Sequence, residues 1–328
     1  MLSFQPLPAC LQLQSDNYML LSILIANWNT RDVLRQCLQS LYLTANNLEF
    51  ETIVIDNASN DGSPAMLRQE FPQVIVVESP ENIGFGRATN RAADLASGKV
   101  WLLLNPDTIL HSQAIQRMLA YLEDNPQIGA VGPRILNPDG SLQVSCSPSP
   151  TLAREAWRLF HLDNLVAYSR YPEKTLHSDQ PQSVDVLLGA CILLREEVYK
   201  GDERHPATGL FDEQFFVYSE EVDLCLRIRQ AGWQIHWLPS ALVTHYGGQS
   251  TRQAADQMFI ELYRNKINYF RKHGATYSVG LYKAILYSAA LARWLPGVLV
   301  ADAPIGRRQN WKNISRQYRL LIRELPNL

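Results

Sequence analysis

Four short apolar runs alternate with amphipathic stretches over the first third of the chain. The runs lie at residues 21–26, 52–55, 74–77 and 100–104. Their length and unbroken apolar character are typical of strands buried on both faces. The stretch after the first run carries Leu34, Leu38 and Leu41 at helical spacing, which predicts one face packed on a sheet. The order β-α-β-α-β-α-β predicts an α/β fold with a mostly parallel, doubly wound sheet and helices on both faces.

The fourth run is followed by Asn105, Pro106 and an aspartate, Asp107. Asn105-Pro106 must stop the strand, because proline has no N–H for the ladder. Asp107 therefore falls just past the carboxyl end of a central strand, the edge where open α/β sheets bind ligands. Taken alone, this carboxylate is either a turn former or a ligand for a cation that carries a phosphorylated substrate.

The pattern changes after a predicted helix near residues 112–124. The turn sequence at 137–140 predicts a hairpin, and a strand is expected over 184–194. A helix at 220–231, two short strands at 234–238 and 241–244, and helices beyond about 255 follow. We therefore expect an extension at 1–19, a main domain at 20–252 with halves 20–109 and 110–252, and a helical region at 253–328.

Bulk composition excludes several classes of protein. Among 328 residues, 30 are basic and 32 acidic, so no global positive surface points to nucleic acid. The five cysteines are scattered and never form a CxxC pair, which is poor spacing for zinc or for a disulfide framework. This favours a reducing, cytoplasmic location. We find no signal-peptide pattern and no uncharged apolar window of about 18 residues that would span a membrane.

Polar residues follow three of the predicted strands at the same edge of the sheet. They are Asp56, the loop at 81–86 and Asp107. Together they predict a polar crevice suited to a nucleotide, with Asp56 accepting a pyrimidine imide N–H and Asp107 holding a cation on a diphosphate. Gly84-x-Gly86 is a weak dinucleotide signal, since Thr89 replaces the third glycine. Those glycines are equally explained by a tight turn.

Two later features have both a structural and a catalytic interpretation. Ser219 is placed to cap the helix that follows, and the acids after it would complement the helix dipole. Alternatively, one of those acids turns into the crevice as a general base with a raised pKa. His245, which comes just after a strand, is either structural or close enough to reach a metal.

Read together, six segments resemble the family 2 glycosyltransferases, particularly the bacterial branch with rhamnosyltransferases of polysaccharide and O-antigen synthesis. They are SILIANWN (22–29), VIDNASNDGS (54–63), ENIGFGRATN (81–90), LLNPDT (103–108), GA (189–190) and FDEQFF (211–216) continuing to Trp233. The resemblance covers about residues 20–252. Each motif is modest alone, but six in the right order are highly specific.

The resemblance implies a GT-A fold, a nucleotide-diphospho-sugar donor, a divalent cation (Mg²⁺ or Mn²⁺) and inversion at the anomeric carbon. The donor would be UDP- or dTDP-linked, with dTDP-rhamnose one candidate, and the acceptor a glycan or a lipid-linked sugar. Carried over by position, the nucleotide-binding residues are Asn27, Asn29, Asp56, Asn82, Gly84, Asn90 and Asn105. Asp107 and His245 would bind the metal. Glu221 takes the place of the presumed catalytic base, with Glu220 and Asp223 as alternatives.

Two other classes remain open at the level of sequence. A sugar-phosphate nucleotidyltransferase would use a similar sheet and metal, but it normally has a Gly-rich basic loop where this chain has Asn27-Trp28-Asn29. A non-catalytic sugar-binding or scaffold protein should have lost Asp107 or the acids at 220–223, and neither is lost.

An apolar stretch at 277–300 suggests peripheral contact with the inner face of the plasma membrane. Leu281, Ile285, Ala289 and Ala292 can line one helical face there. Cations lie on both sides, at 264–273 and 307–319, and Trp294 and Trp311 suit an interface. A helical hairpin packed on the catalytic domain, or a dimer interface, would explain the same pattern.

Overall fold

A computed structural model describes residues 21–249, 251–299 and 305–328. The predicted extension at 1–19 lies outside the described residues. Within them the strands are β1 (Leu21–Asn27), β2 (Phe50–Asp56), β3 (Ile75–Glu78), β4 (Val100–Leu104), β5 (Thr108–Leu110), β6 (Ile128–Leu136), β7 (Leu142–Gln143), β8 (Cys146–Ser147), β9 (Gln182–Ser183), β10 (Val186–Leu187), β11 (Cys191–Arg195) and β12 (Gln234–His245).

The helices alternate with the strands in the first half and follow one another at the end. They are α1 (Arg31–Thr44), α2 (Ser63–Glu70), α3 (Phe85–Leu95), α4 (Ala114–Asp124), α5 (Leu152–Leu159), α6 (Glu173–Leu176), α7 (Glu196–Lys200), α8 (Glu220–Gln230), α9 (Ala255–His273), α10 (Ser278–Leu299) and α11 (Ile305–Glu324).

One large sheet organises the molecule, in the order β3-β2-β1-β4-β11-β6-β12-β5. The strands β3, β2, β1 and β4 are parallel, as the βα repeat predicts. Strand β11 is then inserted antiparallel between β4 and β6, and β12 runs parallel to β6. The predicted mostly parallel sheet with helices on both faces is confirmed, with antiparallel strands added in its second half.

Strand β4 is buried on both faces, which explains its unbroken apolar sequence. Leu102 and Leu104 belong to the core that α1, α2 and α4 cover. Trp101 and Leu103 belong to the opposite core, which α3 and α8 cover. At the carboxyl edge, the register pairs Asn27 at the end of β1 with Asp56 at the end of β2. The sheet thus places polar residues together at its carboxyl edge.

Two predicted strand boundaries are wrong. The expected strand over 184–194 is divided into β10 and β11, because residues 188–190 leave the ladder and line a cavity. The two short strands expected at 234–238 and 241–244 are instead one strand, β12. Its register with β6 shifts between Leu238 and Leu242, where Pro239 cannot donate to a ladder.

The last three helices form a third core. Ile267, Tyr282, Leu286 and Leu321 are fully buried there. The predicted apolar face of α10 is therefore partly wrong, since Ala289 turns inward while Leu281 and Ala292 stay exposed. Among the described residues, no helix is both long enough and apolar enough to cross a membrane. Side chains 296–313, including Trp311 and the nearby predicted cations, lie outside the described part.

Candidate active site

A cavity of about 650 Å³ opens at the carboxyl edge of β1 and β4. The link between β10 and β11, the start of α8, the end of β12 and the start of α9 complete its walls. The predicted site residues that line it are Asn27, Asn82, Gly84, Asn105, Asp107, Glu220, Glu221 and His245. The other described candidates, Asn29, Asp56, Asn90 and Asp223, lie outside this lining. Two distant parts of the sequence therefore meet in one pocket.

Asp56 lies next to Asn27 and Asn57, which line the cavity. Its Oδ2 accepts from Nδ2 of Asn27 at 2.8 Å, and its Oδ1 accepts from the Ser59 backbone N–H at 2.8 Å. Thr30 Oγ1 in turn donates to Asn27 Oδ1 at 2.5 Å. The buried carboxylate thus fixes Asn27 and the loop after β2 at the pocket edge.

Asn29 and Asn90 hold loops together in the structure. The Asn29 side chain accepts from the Asn60 backbone N–H at 2.8 Å and joins the loops after β1 and β2. Asn90 makes a paired contact with the Phe211 backbone: Nδ2 donates to its oxygen at 2.9 Å, and Oδ1 accepts from its nitrogen at 3.0 Å. Asn90 thereby joins α3 to the segment that leads to α8.

Sequence reasoning missed Asn57, which is buried and lines the cavity. Its Nδ2 donates to the Gly84 oxygen at 3.1 Å, and its Oδ1 accepts from the Ile83 N–H at 3.0 Å. The signal was present, since Asn57 follows Asp56 at a carboxyl strand end. Gln257 and Met258 of α9 also line the cavity, and no local pattern indicated them.

Asp107 and His245 meet across the end of the sheet. His245 Nε2 lies 3.2 Å from Asp107 Oδ1, and both residues are buried. His245 Nδ1 lies 2.7 Å from Gln143 Oε1, while Gln143 Nε2 donates to Asn137 Oδ1 at 2.8 Å. Because an amide oxygen only accepts, Nδ1 carries the hydrogen of this bond, and Nε2 is the ring nitrogen that faces the carboxylate.

Two electron-rich atoms at this separation need a positive charge near them, either a proton or a metal ion. A carboxylate and an imidazole oriented by its neighbours are suitable metal ligands. Within the described ranges, no cluster of three or more His, Cys, Asp or Glu side chains is arranged to hold a metal. A cation here would therefore need phosphate oxygens and water to complete its shell, as Mg²⁺ commonly does.

Asn105 presents an unused acceptor. Its Oδ1 is buried and has no hydrogen-bond partner in the described part of the chain. The backbone of Asn105 is fixed, because its N–H donates to the Ala190 oxygen at 2.9 Å. Since buried polar atoms are normally paired, this oxygen is a candidate acceptor for a ligand hydroxyl or N–H.

Two adjacent glutamates, Glu220 and Glu221, also line the cavity. Burial, together with the charge of Glu221, raises the pKa of Glu220 well above its ordinary value. Glu220 Oε2 has no hydrogen-bond partner among the described residues. Burial also raises the pKa of Glu221, whose side chain packs against Gly189. A Cβ at Gly189 would lie 3.4 Å from that of Glu221, so the backbone between β10 and β11 lies directly against this side chain.

The predicted helix cap before these glutamates is only half right. Ser219 occupies the N-cap position of α8, but within the described structure its side chain makes no capping hydrogen bond. The physical reason is its left-handed backbone, with a φ of +69°, where a capping residue normally has an extended conformation. The turn thus serves to change the chain direction rather than to cap the helix through this hydroxyl.

Asp223 is fully buried and contacts two cations and an imidazole. Its carboxylate lies 2.7 Å from Arg227 Nε, 2.7 Å from Lys272 Nζ and 2.7 Å from His273 Nε2. Burial acts to raise the pKa of Asp223, but these partners together lower it. The structure thus places Asp223 in a link between α8 and α9.

An α/β fold with polar residues at the carboxyl ends of its strands, a carboxylate–imidazole pair and carboxyls with raised pKa values in one pocket is typical of group-transfer enzymes. The model of the family described as Glycosyl transferase family 2 matches residues 22–201. The chain belongs to that family and is a glycosyltransferase. This agrees with the resemblance seen in the sequence and disfavours the nucleotidyltransferase and scaffold alternatives.

Known proteins of this kind are similar over most of the chain. An N-acetylglucosaminyl-diphospho-decaprenol L-rhamnosyltransferase of Mycobacterium tuberculosis is 32% identical over 214 residues, which cover 61% of this chain and 67% of the relative. Rhamnosyltransferase WbbL of Escherichia coli is 24% identical over 253 residues, which cover 72% of this chain and 87% of the relative.

A solved structure has the same fold. The mannosyltransferase PcManGT of Pyrobaculum calidifontis, in complex with GDP-Man and Mn²⁺, aligns with a TM-score of 0.53 at 16% identity. The alignment covers 94% of this chain and 86% of that one. The GT-A fold implied by the sequence is confirmed.

Proposed function

We propose that this glycosyltransferase inverts the anomeric carbon of a sugar that it takes from a UDP- or dTDP-linked donor, with dTDP-rhamnose as the first candidate. The acceptor is a glycan or a lipid-linked sugar of cell-surface polysaccharide synthesis. The observation that carries the proposal is one cavity with Asp107 and His245 on one wall and Glu221 on another. The named activities of the two rhamnosyltransferase relatives support the choice of sugar.

Glu221 acts as the general base in this proposal. It accepts the proton of an acceptor hydroxyl while that oxygen bonds to the anomeric carbon and the bond to the nucleoside diphosphate breaks. Inversion follows from a single displacement. The raised pKa of Glu221 supports this role, since a base closer to the working pH transfers protons more effectively.

The donor side is proposed to use the polar floor of the cavity. Asn27, Asn82, Gly84 and Asn105 line it and would contact the nucleotide directly, while Asp56, Asn29 and Asn90 hold the surrounding loops. A divalent cation on Asp107 and His245, Mg²⁺ or Mn²⁺, would offset the charge that grows on the diphosphate leaving group. Residues 20–109 are assigned to the donor and 110–252 to the acceptor, while Gln257 and Met258 of the region from 253 add to the cavity lining.

The test is release of nucleotide from a panel of UDP- and dTDP-sugars, with and without Mn²⁺ or Mg²⁺, in the presence of saccharide and lipid-linked acceptors. We expect acceptor-stimulated, cation-dependent release from one donor, with inverted product by NMR. Retained anomeric configuration, or no release from any donor, would contradict the proposal.

Peripheral membrane contact through α10 is a second part of the proposal, in keeping with a lipid-linked acceptor. Four large apolar side chains in this helix or directly before it are exposed: Tyr277, Leu281, Tyr287 and Leu295. The test is co-sedimentation with anionic liposomes at low salt. The double variant Leu281→Ser/Leu295→Ser should bind less than wild type, whereas Leu43→Ser, at an exposed leucine of α1, should not. Equal binding by all three would disprove this contact.

A further inference from the structure

The two residues before Glu220 have a rare backbone conformation. Tyr218 and Ser219 have φ angles of +70° and +69°, in the left-handed region that residues with side chains seldom adopt. Consecutive residues in this region are strained, so surrounding contacts must hold them in place. This turn directs the chain into α8, whose first two residues, Glu220 and Glu221, both line the cavity. Whatever holds the turn therefore decides where the carboxyls point.

Two consecutive carbonyl groups before the turn are held by different parts of the chain. The Phe85 N–H donates to the Phe216 oxygen at 2.8 Å. Gly84 permits this approach, because a Cβ at that position would lie 2.6 Å from the same oxygen. Nδ2 of Asn265, in α9, donates to the Val217 oxygen at 2.7 Å. Since each bond fixes one peptide plane, the pair determines how the chain enters the turn.

Asn265 is well suited to this task. It is buried, with 1% of its surface exposed. A buried amide without hydrogen bonds would lower the stability of the protein, so this amide must be paired. Nδ2 of Asn268 donates to Asn265 Oδ1 at 3.1 Å, which leaves the donor end of Asn265 to face Val217. The same helix also contacts Asp223, two residues after Glu221 in the sequence, through Lys272 and His273. Helix α9 therefore contacts the chain both before and after Glu220 and Glu221 in the sequence.

We propose that Asn265 is a positioning residue for the catalytic carboxylate. Its bond to the Val217 oxygen keeps the left-handed turn at 218–219 in the conformation that directs Glu221 into the cavity. Asn265 lies beyond residues 22–201, the part of the chain that matches the family. The inference rests on the proposed function only in taking Glu221 as the base.

The experiment compares wild type, Asn265→Ala and a matched control, Leu321→Ala. Leu321 is a fully buried side chain of α11 in the same core, so its loss destabilises the protein without removing a bond to the turn. Hydrogen exchange measured by mass spectrometry should show faster exchange over 216–224 in Asn265→Ala alone, with β4 unchanged. The kcat for nucleotide release should fall about 10- to 100-fold, because small misplacements of a base are costly. The donor KM should stay within about twofold of wild type.

Unchanged exchange over 216–224 in Asn265→Ala would overturn the proposal, as would equal changes in Leu321→Ala. A loss that appears only in donor KM would also overturn it. If Asn265→Ala does not fold, Asn268→Ala replaces it and should show the same pattern more weakly, since it only frees the Asn265 amide to rotate. If wild type releases nucleotide from no donor, the proposed function has failed, but the exchange comparison still decides whether Asn265 holds the turn.

Discussion

His245 Nε2 lies 3.2 Å from Asp107 Oδ1, although the two residues are far apart in the sequence. Asp107 follows β4, and His245 is the last residue of β12, where it pairs with Thr108 of β5. Short strand β5 thus connects the two residues: it begins one residue after Asp107 and lies in register with His245. Strand pairing thus brings the two residues together.

Asp107→Asn should abolish cation-dependent stabilisation by UDP or dTDP. The amide keeps the size of the side chain but removes the charge that a divalent ion needs. A ligand at about 100 times its Kd stabilises a protein by about 2.7 kcal/mol, a readily measured shift in Tm. The matched control is Asp139→Asn in the exposed 137–140 turn, which should behave as wild type. Equal Mn²⁺-dependent shifts in both variants would refute the assignment.

Gln143→Leu tests the orientation of His245 separately. Losing the acceptor at Nδ1 frees the imidazole tautomer and ring angle. We expect Mn²⁺ affinity, measured by titration in the presence of dTDP, to fall about tenfold or more. Unaltered affinity would show that Gln143 has no role in orienting the ligand.

Glu220→Gln should stabilise the protein at neutral pH. Because the pKa of Glu220 is raised in the folded state, the folded protein holds this proton more tightly than the unfolded chain. Stability is therefore lost as pH rises above the unfolded value of about 4.3, by up to about 1.4 kcal/mol per pH unit until the folded pKa is reached. Urea unfolding at pH 4.5 and 7.5 should show a gain for Glu220→Gln only at the higher pH. Surface Glu203→Gln is the control, and a gain of equal size at both pH values would contradict this account.

Asp223→Asn should destabilise the protein strongly at neutral pH. It leaves Arg227, Lys272 and His273 around a neutral group, and breaking a buried ion pair in this way costs about 3–5 kcal/mol. Because the pKa of Asp223 is lowered, its contribution is present above the ordinary value of about 4 and disappears as pH falls through the folded pKa. Asp256→Asn removes an exposed ion pair with Arg316 and should change stability by less than about 1 kcal/mol. Similar urea midpoints for both variants would be the contrary result.

The sequence predicts well that the carboxyl edge of β1 and β4 lines a cavity, because this edge is built by local rules. Apolar runs such as β4 must be buried on both faces, and the residue after a parallel strand must reach the ligand edge. The position of Asp107 at this edge follows from that reasoning alone, whereas its role does not. The role of Asp223 does not, because its partners Lys272 and His273 come from a helix whose docking depends on the whole third core. The antiparallel insertion of β11 is likewise decided by tertiary pairing and not by its own apolar pattern.

The most direct test of the whole account is the turnover of Glu221→Gln on the preferred donor. The amide keeps the size and helix propensity of the side chain but cannot accept the hydroxyl proton, so kcat should fall by about 100-fold or more. Donor KM and Mn²⁺-dependent binding of the nucleoside diphosphate should stay near wild type, because Asp107 and His245 are untouched. Normal turnover by Glu221→Gln would contradict the account and assign the base to another carboxylate.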